Sequence, residues 1–398
     1  MNLSRHRKWI LAAYLLGLLA VVGFTWRAVQ KPPHSITIDR IDVAKLNSRI
    51  ERRRIEPRKW PLVPDTPREW REFMTLEETK LLVPSVGTSE LSRYDPWTYV
   101  VGMASRRETL AWPEHPAKLV DGFTNSLALR GDRELSKLLP DLRVLVAGDS
   151  HTCGVCRFDE TFSARLETSL GGRNPGKSIE VLNAGHGGYT FYNYVGTLLR
   201  WRERAPQVIV VAIYAGNDFA ECLPFRYFFA GESLPEWTPP QLELVERAFE
   251  VGPNAMSQGL YSTFRLHCMP QDAEKAVEAG VGAMEEIRAI GEKLGTRLVV
   301  CVIPDPCAQT FEPPIRELVA ARAILDEGGL KRTAQSYAED TLVTRLGVVG
   351  IECIDLRPIF AAEPSPPFWR ADLHMNVRGQ ELVAKALEPI VQRLLEAR

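Results

Sequence analysis

From Leu142 onward the hydrophobic and polar positions alternate between two kinds of segment. Five short apolar runs rich in β-branched residues, "LRVLVAG", "SIEVLNAG", "QVIVVAIYAG", "TRLVVCVIP" and "GIECIDL", are each bounded by polar residues or by Gly and Pro. Such continuous apolar runs are what strands buried on both faces require. Between them lie stretches of helical period. These are Phe162, Leu166 and Leu170; Phe191, Val195, Leu198 and Leu199; the run "AEKAVEAGVGAMEEIRAIGEKLG"; and Leu382, Val383, Leu387, Ile390, Val391 and Leu394. Buried strands alternating with amphipathic helices predict an α/β fold built on a parallel sheet covered on both faces. Ligands in such open sheets sit beyond the carboxyl ends of the strands, so the polar clusters that follow each run are the places to look for chemistry.

The N-terminus follows another pattern. "SRHRK" is followed by "WILAAYLLGLLAVVGFTW", an uncharged run from Trp9 to Trp26. As a helix it would span roughly 27 Å, close to the hydrocarbon thickness of a bilayer. Aromatics at both ends suit the interfaces, and Arg5, Arg7 and Lys8 predict that residues 1–8 stay in the cytoplasm. Residues 9–26 therefore read as a transmembrane signal anchor with the bulk of the chain outside. A cleaved signal peptide is the competing reading, but "FTWRAVQ" lacks small residues in an A-x-A arrangement. The cations of "ERRRIEPRK" fall on the outer side and read as a solvated face, their distance from the span weakening any conflict with this topology. Residues 27–140 are expected to form a linker, helical in part, and then a small, irregular, partly β subdomain in which short apolar pieces alternate with Pro and Gly.

Composition narrows the function classes. A chain of 398 residues that is 45% hydrophobic and 25% charged has material for a large core and is neither disordered nor fibrous. A formal net charge of -1 gives no electrostatic case for a nucleic-acid partner.

After the first run comes Gly148-Asp149-Ser150; after the second "NAGHGG", Asn183 to Gly188; after the third "AGND", Ala215 to Asp218; and before the last helix "DLHMN", Asp372 to Asn376. A serine hydroxyl is a poor nucleophile at neutral pH, and it needs an imidazole to take its proton and a carboxylate to orient that imidazole. It also needs donors for the oxyanion formed on attack. The set supplies Ser150 as nucleophile, His374 as base and Asp372 as orienter. Candidate oxyanion donors are the Ser150 N–H, the Gly188 N–H and the Asn217 side-chain amide. Taken singly each cluster reads as a turn or a cap; their placement after successive strands points to chemistry.

On these residues the chain resembles the SGNH (GDSL-type) hydrolase superfamily from about Asn125 to the C-terminus. "GDSHT" resembles the nucleophile block, "NAGHGG" the glycine block, "GND" the asparagine block and "DLHMN" the acid and base block. The lead-in "TNSLALRG" followed by "RVLVAGDS" is similar to that of membrane-anchored or exported bacterial members. The resemblance implies a flavodoxin-like α/β/α sandwich over residues 141–398, interrupted by an insertion at about 219–272. It implies an esterase that hydrolyses an ester-linked acyl group, O-acetyl included, through a Ser150-His374-Asp372 triad without metal or cofactor. The alternative it leaves open is an O-acyltransferase that passes the acyl group to an extracytoplasmic glycan. The expected partners are an acyl-ester substrate carried on a glycan or a lipid, and the membrane through the N-terminal helix. The expected location is the bacterial inner membrane, single-pass, with the catalytic domain in the periplasm. Gly188 is preferred to Gly185 because the glycine of the family block lies five positions after the strand-ending Asn, here Asn183.

Two features depart from the commonest family pattern. Only Leu373 separates Asp372 from His374, where two residues are usual, which leaves Asp355 as an outside candidate for the orienting carboxylate. Cys153 and Cys156 stand where small or apolar residues are usual, and a C-x-x-C between strand and helix is also how thiol redox sites look. The redox reading leaves "GND" and "DLHMN" without a role. With seven cysteines, an extracytoplasmic chain could pair Cys153 with Cys156 and Cys301 with Cys307, or keep them as buried thiols. The absence of a second C-x-x-C or clustered His pair speaks against zinc. The insertion carries "PFRYFFAGESLPEW" where the edge of an active site should be, which suits either substrate access or a packed core.

Overall fold

The computed structural model describes residues 41–55, 74–83, 86, 92–331 and 333–397. The membrane-spanning stretch expected at Trp9 to Trp26 lies outside them, and no helix among the described residues is long and apolar enough to cross a membrane.

The apolar runs become one parallel sheet of five strands: β5 (Leu142–Gly148), β6 (Ile179–Asn183), β7 (Val208–Tyr214), β8 (Arg297–Ile303) and β9 (Cys353–Asp355). They lie in the order β6-β5-β7-β8-β9, which is the doubly wound 2-1-3-4-5 order when the strands are counted within the sheet. Every residue of β5 and β7 is buried. A side-chain period of two then sends alternate residues to opposite faces. Leu145, Ala147, Ile209, Val211 and Ile213 belong to one apolar core, and Val144, Val146, Val208, Val210 and Ala212 to the other. The helices Phe191–Trp201 and Pro270–Leu294 cover the first face, while Phe162–Arg173 and Val377–Glu396 cover the second.

Ahead of the sheet stand the helices Val43–Ile55 and Leu76–Leu82 and two hairpins, β1 (Ser92–Asp95) with β2 (Tyr99–Gly102) and β3 (Thr109–Ala111) with β4 (Leu119–Asp121). They pack directly on the sheet domain. Leu46 and Ile50 are fully buried in the first core, and Asn193 on the covering helix donates from Nδ2 to the Thr98 carbonyl at 2.7 Å. The second hairpin is held by Arg130, only 4% exposed. Its guanidinium binds Asp121 Oδ1 at 2.6 Å and donates to the carbonyls of Cys153 (3.1 Å) and Cys156 (2.9 Å). A buried guanidinium has to spend its donors on such acceptors.

The segment 219–272 is helical, running through Leu223–Ala230, Pro239–Val251 and Tyr261–Cys268. Its aromatics are packed: Phe225 stacks on Tyr192 and on Tyr99, with centroids 5.7 and 5.6 Å apart. Phe225, Tyr227 and Phe228 join the first core, and Val245, Met256, Leu260 and Phe264 join the second. The segment therefore wraps from one face of the sheet to the other and passes over the carboxyl ends of the strands.

Candidate active site

All the sequence-predicted groups except the Asp372–His374 pair arrive directly from the ends of β5, β6 and β7. β5 and β7 are neighbours whose connections diverge, so the crevice beyond their ends is the natural binding place of this topology. Ser150 is half-buried and opens a single helical turn, Ser150–Cys153, capped by Asp149, whose Oδ1 accepts from the His151 N–H at 2.9 Å. The Ser150 hydroxyl donates to Asp149 Oδ2 at 3.4 Å. Asn183, ending β6, locks the glycine loop to this turn. Its Nδ2 donates to the Thr152 carbonyl and Ser163 Oγ, both at 2.8 Å, and its Oδ1 accepts from the Gly185 N–H at 3.0 Å. The loop then runs past the serine as bare backbone: a Cβ on Gly187 would lie 3.8 Å from the Ser150 Cβ, and Gly188 is exposed with φ +76°. That backbone conformation strains any side chain but hydrogen.

After β7, the Asn217 carbonyl caps a short turn by accepting from the N–H groups of Ala220 and Glu221. Its side chain hydrogen-bonds the Glu221 carboxyl, which burial, with the nearby Asp149 charge, pushes up to about 8. A protonated Glu221 keeps a further negative charge away from the place where an oxyanion would form. The next residue, Asp218, is fully buried, with Oδ2 accepting from the Tyr214 N–H (2.9 Å) and the Tyr194 hydroxyl (2.7 Å). Burial, reinforced by the Asp149 charge, raises it well above the usual carboxylate range.

Asp372 and His374 arrive together on the loop before the last helix. His374 Nδ1 lies 2.8 Å from Asp372 Oδ2, and the His374 backbone N–H donates to Asp372 Oδ1 at 3.1 Å. One intervening residue suffices because Leu373 takes a left-handed backbone, φ +64°, which folds the chain back so that both side chains point the same way. That conformation costs a non-glycine residue about 1 to 2 kcal/mol; burying the leucine side chain, 2% exposed in the second core, contributes about 1.5 to 3 kcal/mol in return. Asp355, the outside candidate, instead makes a bidentate pair with Arg357.

Three further groups crowd His374. The fully buried His151 ring stacks on Tyr214 with centroids 3.7 Å apart and lies 4.9 Å from the His374 ring. Gln258, from the helical segment, bridges the two imidazoles: its Oε1 is 3.0 Å from His151 Nε2 and its Nε2 is 3.3 Å from His374 Nε2. Asp149, under Ser150, is pushed up to about 6 by burial, partly opposed by its bonds and by His374. On His374 burial is the largest single influence and acts downward, yet the charge and hydrogen bond of Asp372 and the charge of Asp149 together raise it above 6.5. Sequence reasoning passed over Asp149, although it sits inside the nucleophile block, and His151, although it follows the serine. Gln258 gave no signal at all.

All seven cysteines are free thiols. In the C-x-x-C segment the carbonyls engage Arg130, and burial raises the thiol of Cys153 and, more strongly, that of Cys156. A redox thiol needs the opposite shift, toward thiolate.

No family model matches the chain, and no curated protein does either. Solved structures do. An acetyl xylan esterase, AlAXEase, is 15% identical, covering 63% of this chain and 100% of that one with a TM-score of 0.35. A GDSL-like lipase from Bacteroides thetaiotaomicron is 12% identical, covering 64% and 89% with a TM-score of 0.33. A lipase/acylhydrolase from Enterococcus faecalis is 15% identical, covering 65% and 98% with a TM-score of 0.33. The chemistry of the site rests on the residues just described.

Proposed function

We propose that the chain is a serine esterase of the SGNH type, with Ser150 as nucleophile, His374 as base and Asp372 as the carboxylate that orients it. The Ser150 and Gly188 N–H groups and the Asn217 side chain are the oxyanion donors. The observation that carries this reading is the 2.8 Å bond from His374 Nδ1 to Asp372 Oδ2, made where the ends of β5, β6 and β7 bring together the serine turn, the side-chain-free glycine loop and Asn217. With Nδ1–H held by Asp372, His374 Nε2 carries the lone pair that takes the Ser150 proton as Oγ bonds the acyl carbon. The oxyanion is met by the donors, and collapse expels the alcohol, which takes the proton back from His374. Water then repeats the cycle on the acyl-enzyme. The substrate is an acyl ester, O-acetyl included, carried on a glycan or lipid. A fluorophosphonate probe should label the protein at Ser150 and leave Ser150→Ala unlabelled; equal labelling of both overturns the assignment.

The pH dependence carries a sign. The base works only when neutral, and His374 is raised above 6.5, so hydrolysis of a short activated ester should rise with pH through an apparent pKa above that value. Asp149 and His374 sense each other's charge, and the limb reports them together. A limb centred well below 6.5 in a kcat/KM profile contradicts this.

We also place the esterase domain outside the cytoplasm, tethered by the apolar run Trp9 to Trp26. A C-terminal alkaline phosphatase fusion should be active and a C-terminal green fluorescent protein fusion dark; the reverse result excludes export.

A further inference from the structure

The Gln258 carboxamide, 4% exposed, is oriented by a chain of hydrogen bonds whose direction can be read from one end. The Met375 backbone N–H donates to His151 Nδ1 at 3.3 Å, and a nitrogen that accepts carries no proton. The His151 hydrogen is therefore on Nε2, where it donates to Gln258 Oε1 at 3.0 Å. That contact turns the amide nitrogen of Gln258 toward His374 Nε2 at 3.3 Å. His374 Nε2 then accepts, and its own hydrogen is on Nδ1, facing Asp372. Each step follows from the fixed donor of a peptide N–H, since an amide and two imidazoles can otherwise be read either way round.

The backbone beneath is built for this placement. Gln258 lies at a kink between two helices within Met256–Leu260, where the following Gly259 leaves helical backbone (φ 164°, ψ -38°). The next residue must be glycine because a Cβ there would lie 2.2 Å from Asp305 Oδ1. On the other side the His151 ring is clamped by its stack on Tyr214 and cannot turn away.

We propose that His151 and Gln258 are positioning residues for the base: together they hold His374 in the tautomer that keeps its hydrogen on Nδ1 and its lone pair on Nε2, and the Gln258 amide is the resting partner that the Ser150 hydroxyl replaces when substrate binds. The inference rests on the serine-esterase reading. It explains why Ser150 donates to Asp149 here while His374 Nε2 faces an amide. It also gives the helical segment that crosses the strand ends a part in the reaction beyond packing. The titratable groups whose charge reaches His374 are Asp372 on its own loop, Asp149 at the end of β5 and His151 on the turn that follows.

Gln258→Glu tests the direction of the chain. A carboxylate at this place accepts from His374 Nε2–H, so the imidazolium is flanked by acceptors on both sides. The rising, acid-side limb of kcat/KM should move up by about one unit or more, with turnover low at neutral pH and recovering as pH rises. Gln258→Met keeps the volume and removes the bonds. Its kcat should fall roughly 10- to 100-fold with KM little changed, without the upward move of the limb. His151→Phe, which keeps the stack but frees the amide to flip, should lose a similar factor, and the double variant should be little worse than either. A purely structural role predicts equal losses in the Glu and Met variants with the limb unmoved, and that result overturns the proposal. Should the variants fail to fold, the ring nitrogen-15 shifts of His374 in the wild-type protein decide: hydrogen on Nδ1 supports the assignment, hydrogen on Nε2 overturns it. Fluorophosphonate labelling separates the two levels. An unlabelled wild type fails the esterase reading and this inference with it, whereas a labelled, active wild type with an unmoved Glu profile fails the positioning role alone.

Discussion

Ser150→Ala is expected to lower turnover of a short activated ester by roughly 10⁶, with His374→Ala close behind and the double variant little worse than either. The non-additivity follows from the chemistry: an imidazole without a hydroxyl has no proton to take, and a hydroxyl without an imidazole is not a nucleophile at neutral pH. The residual rate belongs to binding and to the oxyanion donors. Ser150 is half-buried, and its hydroxyl makes one long bond, 3.4 Å, to Asp149, so its removal should leave the melting temperature nearly unchanged and separate lost chemistry from lost fold. Steady-state rates on p-nitrophenyl acetate alongside thermal melts provide the check. Full activity in folded Ser150→Ala would overturn the esterase reading. Asn217→Ala should cost less, on the order of 10² to 10³, because it removes one oxyanion donor of several.

Asp372→Asn should cost on the order of 10⁴ in kcat, and its geometry says why. Both carboxylate oxygens are committed to one residue, Oδ1 to the His374 backbone N–H and Oδ2 to the ring Nδ1. An asparagine has one acceptor for these two donors. If its oxygen stays with the backbone N–H, its NH₂ faces Nδ1, the ring hydrogen moves to Nε2, and the lone pair points away from Ser150. If the amide turns over, the NH₂ confronts the backbone N–H and the Leu373 turn is pried apart. The substitution also removes both the charge and the hydrogen bond by which Asp372 raises His374, so the rising, acid-side limb of any residual activity should shift to lower pH. The pH profile of kcat over the residual rate measures this. A nearly silent Asp372→Asn beside a dead Ser150→Ala would mean that a Ser-His pair suffices.

Much of the fold could be read from local pattern. The five apolar runs are the five parallel strands, and the pattern is clearest in β5 and β7, which are buried throughout, because a strand covered on both faces has few polar positions. The helices at Phe162, Phe191 and Val377 declared themselves by period. Thr333–Val348 did not: Leu342 and Leu346 are buried, but Tyr337 and Val348 on the same helix are 49% and 81% exposed, which blurs the stripe. The aromatic run of residues 224–237 suited substrate access and a packed core equally in the sequence, since the stacking on Tyr192 and Tyr99 that makes it core joins distant parts of the chain.

At the site the same division holds. The sequence by itself determined the proposed reactive groups and their order after successive strands, because a turn that ends a strand is short and the topology carries its residues to one edge. It also placed Asp372 beside His374, while the left-handed backbone at Leu373 that makes so short a spacing workable is held by a buried side chain and was decided by packing. Only the tertiary structure decided which groups surround the base. His151 and Gln258 are 107 residues apart, and Gln258 and His374 are 116 apart. Hydrogen bonds of that span leave no periodicity in the chain. They exist because folding buries polar groups beside one another and a buried donor or acceptor must find a partner.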